Sequence, residues 1–238
     1  MFLAFEDRPS PSPFVERVWR CRSLAGGRFH SMAEGNLELV VTRLPGLTAV
    51  TLRGPVTRAS LVDCPPQGEW LAIRFRPGVH LPNQPTALLL DHNNLDLPVI
   101  GRERFWFQGW AWEIPAFDTA EVFVERLARR GIIARDAAVG AAVEGDTQIL
   151  TRRSVQRHFL HAMGMTPGRF RQIERARQAV ELLQSGTSIL DAVHDAGYFD
   201  QAHLTRSLRL LIGQTPLQIL RQQAQLSFLY KTAAKNSD

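Results

Sequence analysis

Apolar positions change their rhythm about half-way along the chain. In residues 70–76, Trp70, Ala72, Arg74 and Arg76 alternate with Leu71, Ile73 and Phe75. That period of two predicts a strand with two unlike faces. Residues 14–21, 37–41 and 48–52 are short runs of branched and apolar side chains and predict further strands. Pro45-Gly46, Gly54-Pro55, Pro65-Pro66 and Pro77-Gly78 punctuate them. Such spacing suits a small antiparallel barrel or sandwich. Residues 1–14, rich in proline and serine, predict an extended lead-in. Residues 105–114 hold Phe105, Trp106, Phe107, Trp110 and Trp112, a density that points to core or to a subunit contact.

Beyond residue 118 the rhythm becomes helical. Asp118 followed by Glu121 predicts a capping box, with Val122, Phe123 and Leu127 behind it and Gly131 as the stop. A second helix is expected over residues 136–144. A longer one is predicted over residues 167–184, where Phe170, Ile173, Ala176, Val180 and Leu183 form one stripe about 27 Å long. A short helix over residues 189–196 closes on Gly197. In the next helix Leu204, Leu208, Leu211 and Ile212 share one face, and Gln201, His203, Thr205, Arg206 and Arg209 lie around the other. Short helix, tight turn and polar-faced second helix make a helix-turn-helix, whose second helix enters the DNA major groove.

The end of that unit occurs twice. Residues 152–167 repeat it forty-nine positions earlier: Arg157 stands for Arg206, Phe159 for Leu208, Gly164 for Gly213, and Thr166-Pro167 for Thr215-Pro216. Val155 and Ala162 take the places of Leu204 and Leu211. In each copy Thr is an N-cap and Pro the first residue of the next helix. A supersecondary unit repeated at one offset is a strong architectural signal. The competing reading is two unrelated amphipathic helices.

These residues resemble the DNA-binding domain of the AraC/XylS transcriptional regulators over residues 151–221. The family's S-x-R-x-L-x-R-x-F is filled by Thr151, Arg153, Val155, Arg157 and Phe159, and its G-x-[ST]-P by Gly164, Thr166 and Pro167. Arg175, Ala179, Leu182 and Leu183 match its linker helix. Gly197, Tyr198, Asp200, Gln201, Leu204 and Arg206 match the second unit, closed by Gly213, Thr215 and Pro216. Gly145-Asp146 departs from the pattern and leaves only residues 147–150 ahead of Thr151, so the first unit is expected to be shortened. Residues 71–79 are similar to a recurring segment of the barrel domain that precedes this module in some members.

The resemblance implies double-stranded DNA as the partner. The residues expected to meet it are Arg152, Arg153, Ser154, Gln156 and Arg157 on one helix, and Gln201, His203, Thr205, Arg206 and Arg209 on the other. Arginine pairs with guanine or phosphate, and glutamine with adenine. Backbone N–H groups at the starts of the helices at Pro167 and Pro216 are further phosphate donors. Arg175, among core-facing neighbours, is expected to form a structural ion pair with Asp191 or Asp195.

Charge agrees. The chain carries a net +5, and residues 151–221 hold ten arginines against five acids, whereas residues 1–133 hold fifteen against fourteen. Cys21 and Cys64 are the only cysteines, which suits a reducing cytoplasm. Neither a signal peptide nor a membrane-spanning run is expected. His30, His80 and His92 lack ligand spacing, so no metal is expected, and no cofactor fingerprint occurs. Some relatives of the DNA-binding domain use a reactive cysteine for alkyl transfer, but no cysteine cluster appears here.

The expected fold is α+β. Residues 1–133 form a small antiparallel β barrel-like domain with helices. Residues 134–238 form an all-α domain of two helix-turn-helix units joined by a linker helix. The expected function is a sequence-specific, cytoplasmic transcription regulator, not an enzyme. Its N-terminal domain senses a small-molecule effector, forms a homodimer, or both. The alternative is a small-molecule-binding or enzymatic β barrel with a helical accessory domain.

Overall fold

The computed structural model describes residues 3–91, 93–146 and 151–221. The N-terminal part is antiparallel β structure. Its strands are β1 (Leu3–Pro9), β2 (Val15–Ser23), β3 (Gly27–Ser31), β4 (Glu38–Leu44), β5 (Leu47–Arg53), β6 (Ser60–Cys64) and β7 (Glu69–Phe75). Then come β8 (Val79–His80), β9 (Leu95–Leu97), β10 (Val99–Ile100), β11 (Arg104–Phe107), β12 (Trp110–Glu113) and β13 (Ala134–Arg135). Six of them form one sheet in the order β1-β2-β7-β4-β5-β9. The pair β3–β6 forms a separate ribbon, β10-β11-β12 a small meander, and β13 returns to pair with β8.

The alternation in β7 has the meaning its sequence predicts. Ile73 and Phe75 enter a core shared with Val18, Leu39, Leu52 and the helix α1 (Ala120–Arg129). Trp70, Ala72 and Arg74 face the other way, toward Trp19, Cys21 and a cavity. In the aromatic run Phe105, Phe107 and Trp112 are buried on one face of the β11–β12 hairpin, while Trp106, on the other face, and Trp110, next to the turn, are about half exposed. Arg130 stacks over the Trp110 ring at 3.8 Å.

Two expectations fail here. Residues 3–9 are not a lead-in but a strand paired along its length with β2, from Leu3 opposite Ser23 to Pro9 opposite Arg17. Proline is tolerated there because β1 is an edge strand. Asp118 does not cap a helix; it lies in a 3-10 turn (Phe117–Thr119), and Thr119 precedes α1. Glu121 is engaged instead by Arg8 of β1, whose Nη2 donates to its Oε2 at 2.8 Å. That bond holds the Glu121 carboxyl down at about 2. The pair therefore stabilises the fold above pH ~4.5, the ordinary carboxyl value, and the contribution is lost as pH falls toward 2. Thermal melts of the wild type and Glu121→Gln should differ at neutral pH and converge in acid. A gap that stays constant down to pH ~2 would contradict the assignment.

The C-terminal part is helical: α2 (Ala137–Val143), α3 (Arg152–Met163), α4 (Pro167–Gln184), α5 (Ile189–Asp195), α6 (Gln201–Leu211) and α7 (Pro216–Arg221). The starts of α2 to α6 each have a cap. Asp136, Thr151, Thr166, Ser188 and Asp200 all accept backbone N–H groups of the first turn. Phe170, Ile173, Ala176, Val180 and Leu183 of α4 are buried against Val155, Phe159, Leu204 and Leu208 from both repeats. No helix among the described residues is long and apolar enough to cross a membrane.

Candidate nucleic-acid interface

The repeat is a repeat in three dimensions. α3 and α6 begin at equivalent caps, Thr151 accepting from Ser154 N at 3.2 Å and Asp200 accepting from His203 N at 2.6 Å. Both stop near glycines with positive φ, +65° at Gly164 and +84° at Gly213. Thr166 and Thr215 then accept from the amides of Arg169 and Gln218. The amides expected to be free for phosphate at those two helix starts are thus partly taken by their own caps.

Of the residues expected to meet DNA, Arg152, Arg153, Gln156 and Arg157 stand exposed on α3, with Ser154 half-buried. On α6, Gln201, Arg206 and Arg209 are exposed, and His203 and Thr205 are half-buried. The opposite faces are buried, through Val155, Phe159 and Ala162 on α3 and Leu204, Leu208 and Leu211 on α6. His203 is partly occupied: it packs edge-on against Tyr198 at 5.1 Å.

Arg175 needs correcting. It makes no ion pair with Asp191 or Asp195 among the described contacts. Its Nη1 donates to the Gly197 carbonyl at 3.1 Å, and its guanidinium lies over the Tyr198 ring. Asp191 accepts instead from Ser188, and Asp195 pairs with His194. The role is structural, as expected; the acceptor is the backbone at a positive-φ turn, which charge matching does not reveal. The expected shortening of the first unit falls on residues 147–150, outside the described residues.

The β part clamps the far end of the helices. Ala33 N donates to Leu211 O at 2.7 Å and Ala59 N to Leu210 O at 2.9 Å, so two terminal carbonyls of α6 are satisfied by β-domain loops. Gly164 lies so close to Ala87 that a Cβ there would meet its backbone N at 2.8 Å. At Gly213 a Cβ would come within 2.5 Å of His30. The two equivalent glycine corners are therefore both places where the β part docks.

Between them sits a buried charge cluster that sequence reasoning missed. Glu34 accepts from Arg177 of α4 at 3.0 and 3.2 Å, and Arg74 of β7 lies 2.9 Å from its Oε2. Burial alone would raise the Glu34 carboxyl, but Arg177 and Arg74 hold it below its usual value. Glu34 and Arg74 also line a cavity of about 290 Å³ between the sheet and the β3–β6 ribbon, together with Trp19, Cys21, Phe29 and Trp70. Arg74 Nε and Nη1 are buried and meet no acceptor among the described residues. Cys21 and Cys64 come together on this wall, as free thiols. Burial pushes the Cys21 thiol up to about 12, which leaves it protonated and a poor nucleophile at neutral pH.

Residues 149–222 match the family model of a helix-turn-helix domain. This region is a helix-turn-helix domain of the AraC type. No curated protein matches the chain in sequence. Among solved structures, one of ToxT from Vibrio cholerae covers 92% of this chain and 98% of its own, at 10% identity and a TM-score of 0.40. A second ToxT structure, bound to (E)-4-(8-methylnaphthalen-1-yl)but-3-enoic acid, covers 93% and 100% at 11% identity and a TM-score of 0.45. A third, of ToxT bound to an unsaturated fatty acid, covers 92% and 94% at 10% identity and a TM-score of 0.34. The helix-turn-helix domain supplies the second unit complete, α5 followed by α6, and the α3 helix of the first.

Proposed function

We propose that the protein is a sequence-specific DNA-binding transcription regulator in which α3 and α6 enter successive major-groove segments. The observation that carries this reading is the pair of equivalent helices, each capped at its N-terminal end, apolar toward α4 and polar outward. Ten DNA-contacting residues are assigned on that basis: Arg152, Arg153, Ser154, Gln156 and Arg157 from α3, and Gln201, His203, Thr205, Arg206 and Arg209 from α6. Arg206, one turn into α6, is assigned to a base edge, and Arg209, nearer the clamped end, to phosphate.

Arg206→Ala should weaken binding to the preferred site by about 1–3 kcal/mol and relax base choice at one position. Arg209→Ala should weaken preferred and random DNA alike and lower the salt dependence. Titrations on both DNAs at two salt concentrations check this; equal losses on both DNAs for Arg206→Ala would sink the base assignment.

Residues 1–133 are assigned as the sensing domain and residues 134–238 as the DNA-binding domain. Support for sensing comes from the cavity, whose wall residues Met32 and Glu34 flank Ala33, the donor to α6. The chemistry favours a small, mostly apolar molecule with an acceptor for Arg74. Such an effector should raise the melting temperature by mass action. The half-exposed Trp106, on the face of the β11–β12 hairpin away from Phe105 and Phe107, marks the surface assigned to homodimer contact. The free thiols of Cys21 and Cys64 suit a cytoplasmic protein.

A further inference from the structure

Phe199 is the most exposed of the large apolar side chains among the described residues, at 90%. It stands immediately before Asp200, the cap of α6. The residues around it are fixed. Tyr198 turns inward, is 7% exposed, and shares a hydrogen bond with Ser207 at 3.1 Å. Asp200 is tied to the His203 amide, and the Phe199 N–H itself points at His203 Nδ1 at 3.5 Å. With its neighbours anchored on both sides, the Phe199 ring is presented outward at one place, beside the first turn of α6. Ala202, three positions on, is exposed as well.

The start of the second helix is the part of a helix-turn-helix that meets base edges. Most of what a major groove displays is polar; its apolar feature is the C5-methyl of thymine, which alanine and phenylalanine side chains contact. Arg206 and Arg209 on the same helix supply the charge that draws this surface to DNA rather than to an apolar partner. We infer that Phe199, with Ala202 beside it, reads a thymine methyl at the edge of the segment bound by α6. This rests on the proposed DNA-binding function and adds to it a specificity-determining residue that no charge or hydrogen-bond pattern reveals.

The test uses the full chain and a site selected from a random DNA pool. Each thymine of the α6 half is replaced in turn by uracil, which lacks only the methyl group. For the wild type, one replacement should weaken binding about fourfold, equivalent to the ~0.8 kcal/mol of one buried methyl group. Phe199→Ala should bind the thymine site at least about fourfold more weakly than the wild type and be indifferent to uracil at that position. Its melting temperature should be unchanged, because the side chain is in solvent. If Phe199→Ala binds like the wild type, or every uracil costs both proteins the same, the inference is overturned and the ring belongs to a protein contact. Failure of the wild type to select any DNA would instead overturn the regulator function itself.

Discussion

Glu34→Ala is expected to destabilise the folded protein by about 3–5 kcal/mol, the cost of leaving buried charge uncompensated. Glu34 stands between Arg74 and Arg177, which are 6% and 7% exposed. Its removal leaves two buried guanidiniums close to one another, and Arg177 already disfavours the charge on Arg74. Glu38 lies 3.7 Å from Arg74 and Glu174 lies 3.2 Å from Arg177, so some compensation remains. Glu34, by contrast, forms an ion pair with each of the two arginines. Arg177→Met should cost less, since Glu34 keeps Arg74 as its partner. Urea unfolding with an unchanged m-value measures both. A loss below about 1 kcal/mol for Glu34→Ala would mean that the cluster is solvated and that the β domain does not lock α4 through it.

A half-turn insertion, about five base pairs, between the segments bound by α3 and α6 should reduce affinity by at least about a hundredfold, equivalent to two lost base-pair contacts. The two helices cannot adjust. α4 is one continuous helix whose buried stripe packs on both units. The β domain adds a second brace by docking at Gly164 and at Gly213. A full-turn insertion should not restore binding, because neither brace can lengthen. Residual binding should depend on the second unit, so Arg206→Ala should remove most of it and Arg157→Ala little. Affinity unchanged by the insertion would mean that the units are flexibly tethered.

The features legible in the sequence are those that local chemistry dictates. The caps Thr166 and Thr215, the glycine stops and the Thr-Pro starts act within a few residues of chain, and α4 runs from Pro167 to Gln184 as its stripe predicts. The strand at residues 70–76 is legible because its two faces differ in chemistry, Leu71, Ile73 and Phe75 on one and Trp70, Ala72 and Arg74 on the other, although both faces are buried over residues 72–75. The illegible features depend on distant partners. β1 is a strand because β2 lies beside it, and β3 pairs with β6 across more than thirty residues, Gly27 opposite Cys64. Packing of that ribbon against the sheet brings Cys21 and Cys64 together. Glu34, Arg74 and Arg177 are three ordinary charges in sequence, and only the docking of the two parts makes them one cluster. Charge alone assigns Arg175 to a carboxylate, whereas the turn at Gly197 offers a carbonyl closer to hand. Phe199 shows the reverse case: nothing in its local sequence tells that this apolar residue, unlike Tyr198 beside it, is exposed.

Two equivalent helices, held rigidly apart, are proposed to read DNA. Selection of binding sites from a random duplex pool by the purified full chain tests this most directly. Rigid spacing predicts two short enriched blocks whose centres lie one helical turn apart, about 10–10.5 base pairs, at a single fixed separation. No enrichment, or a single block with variable flanks, would contradict it.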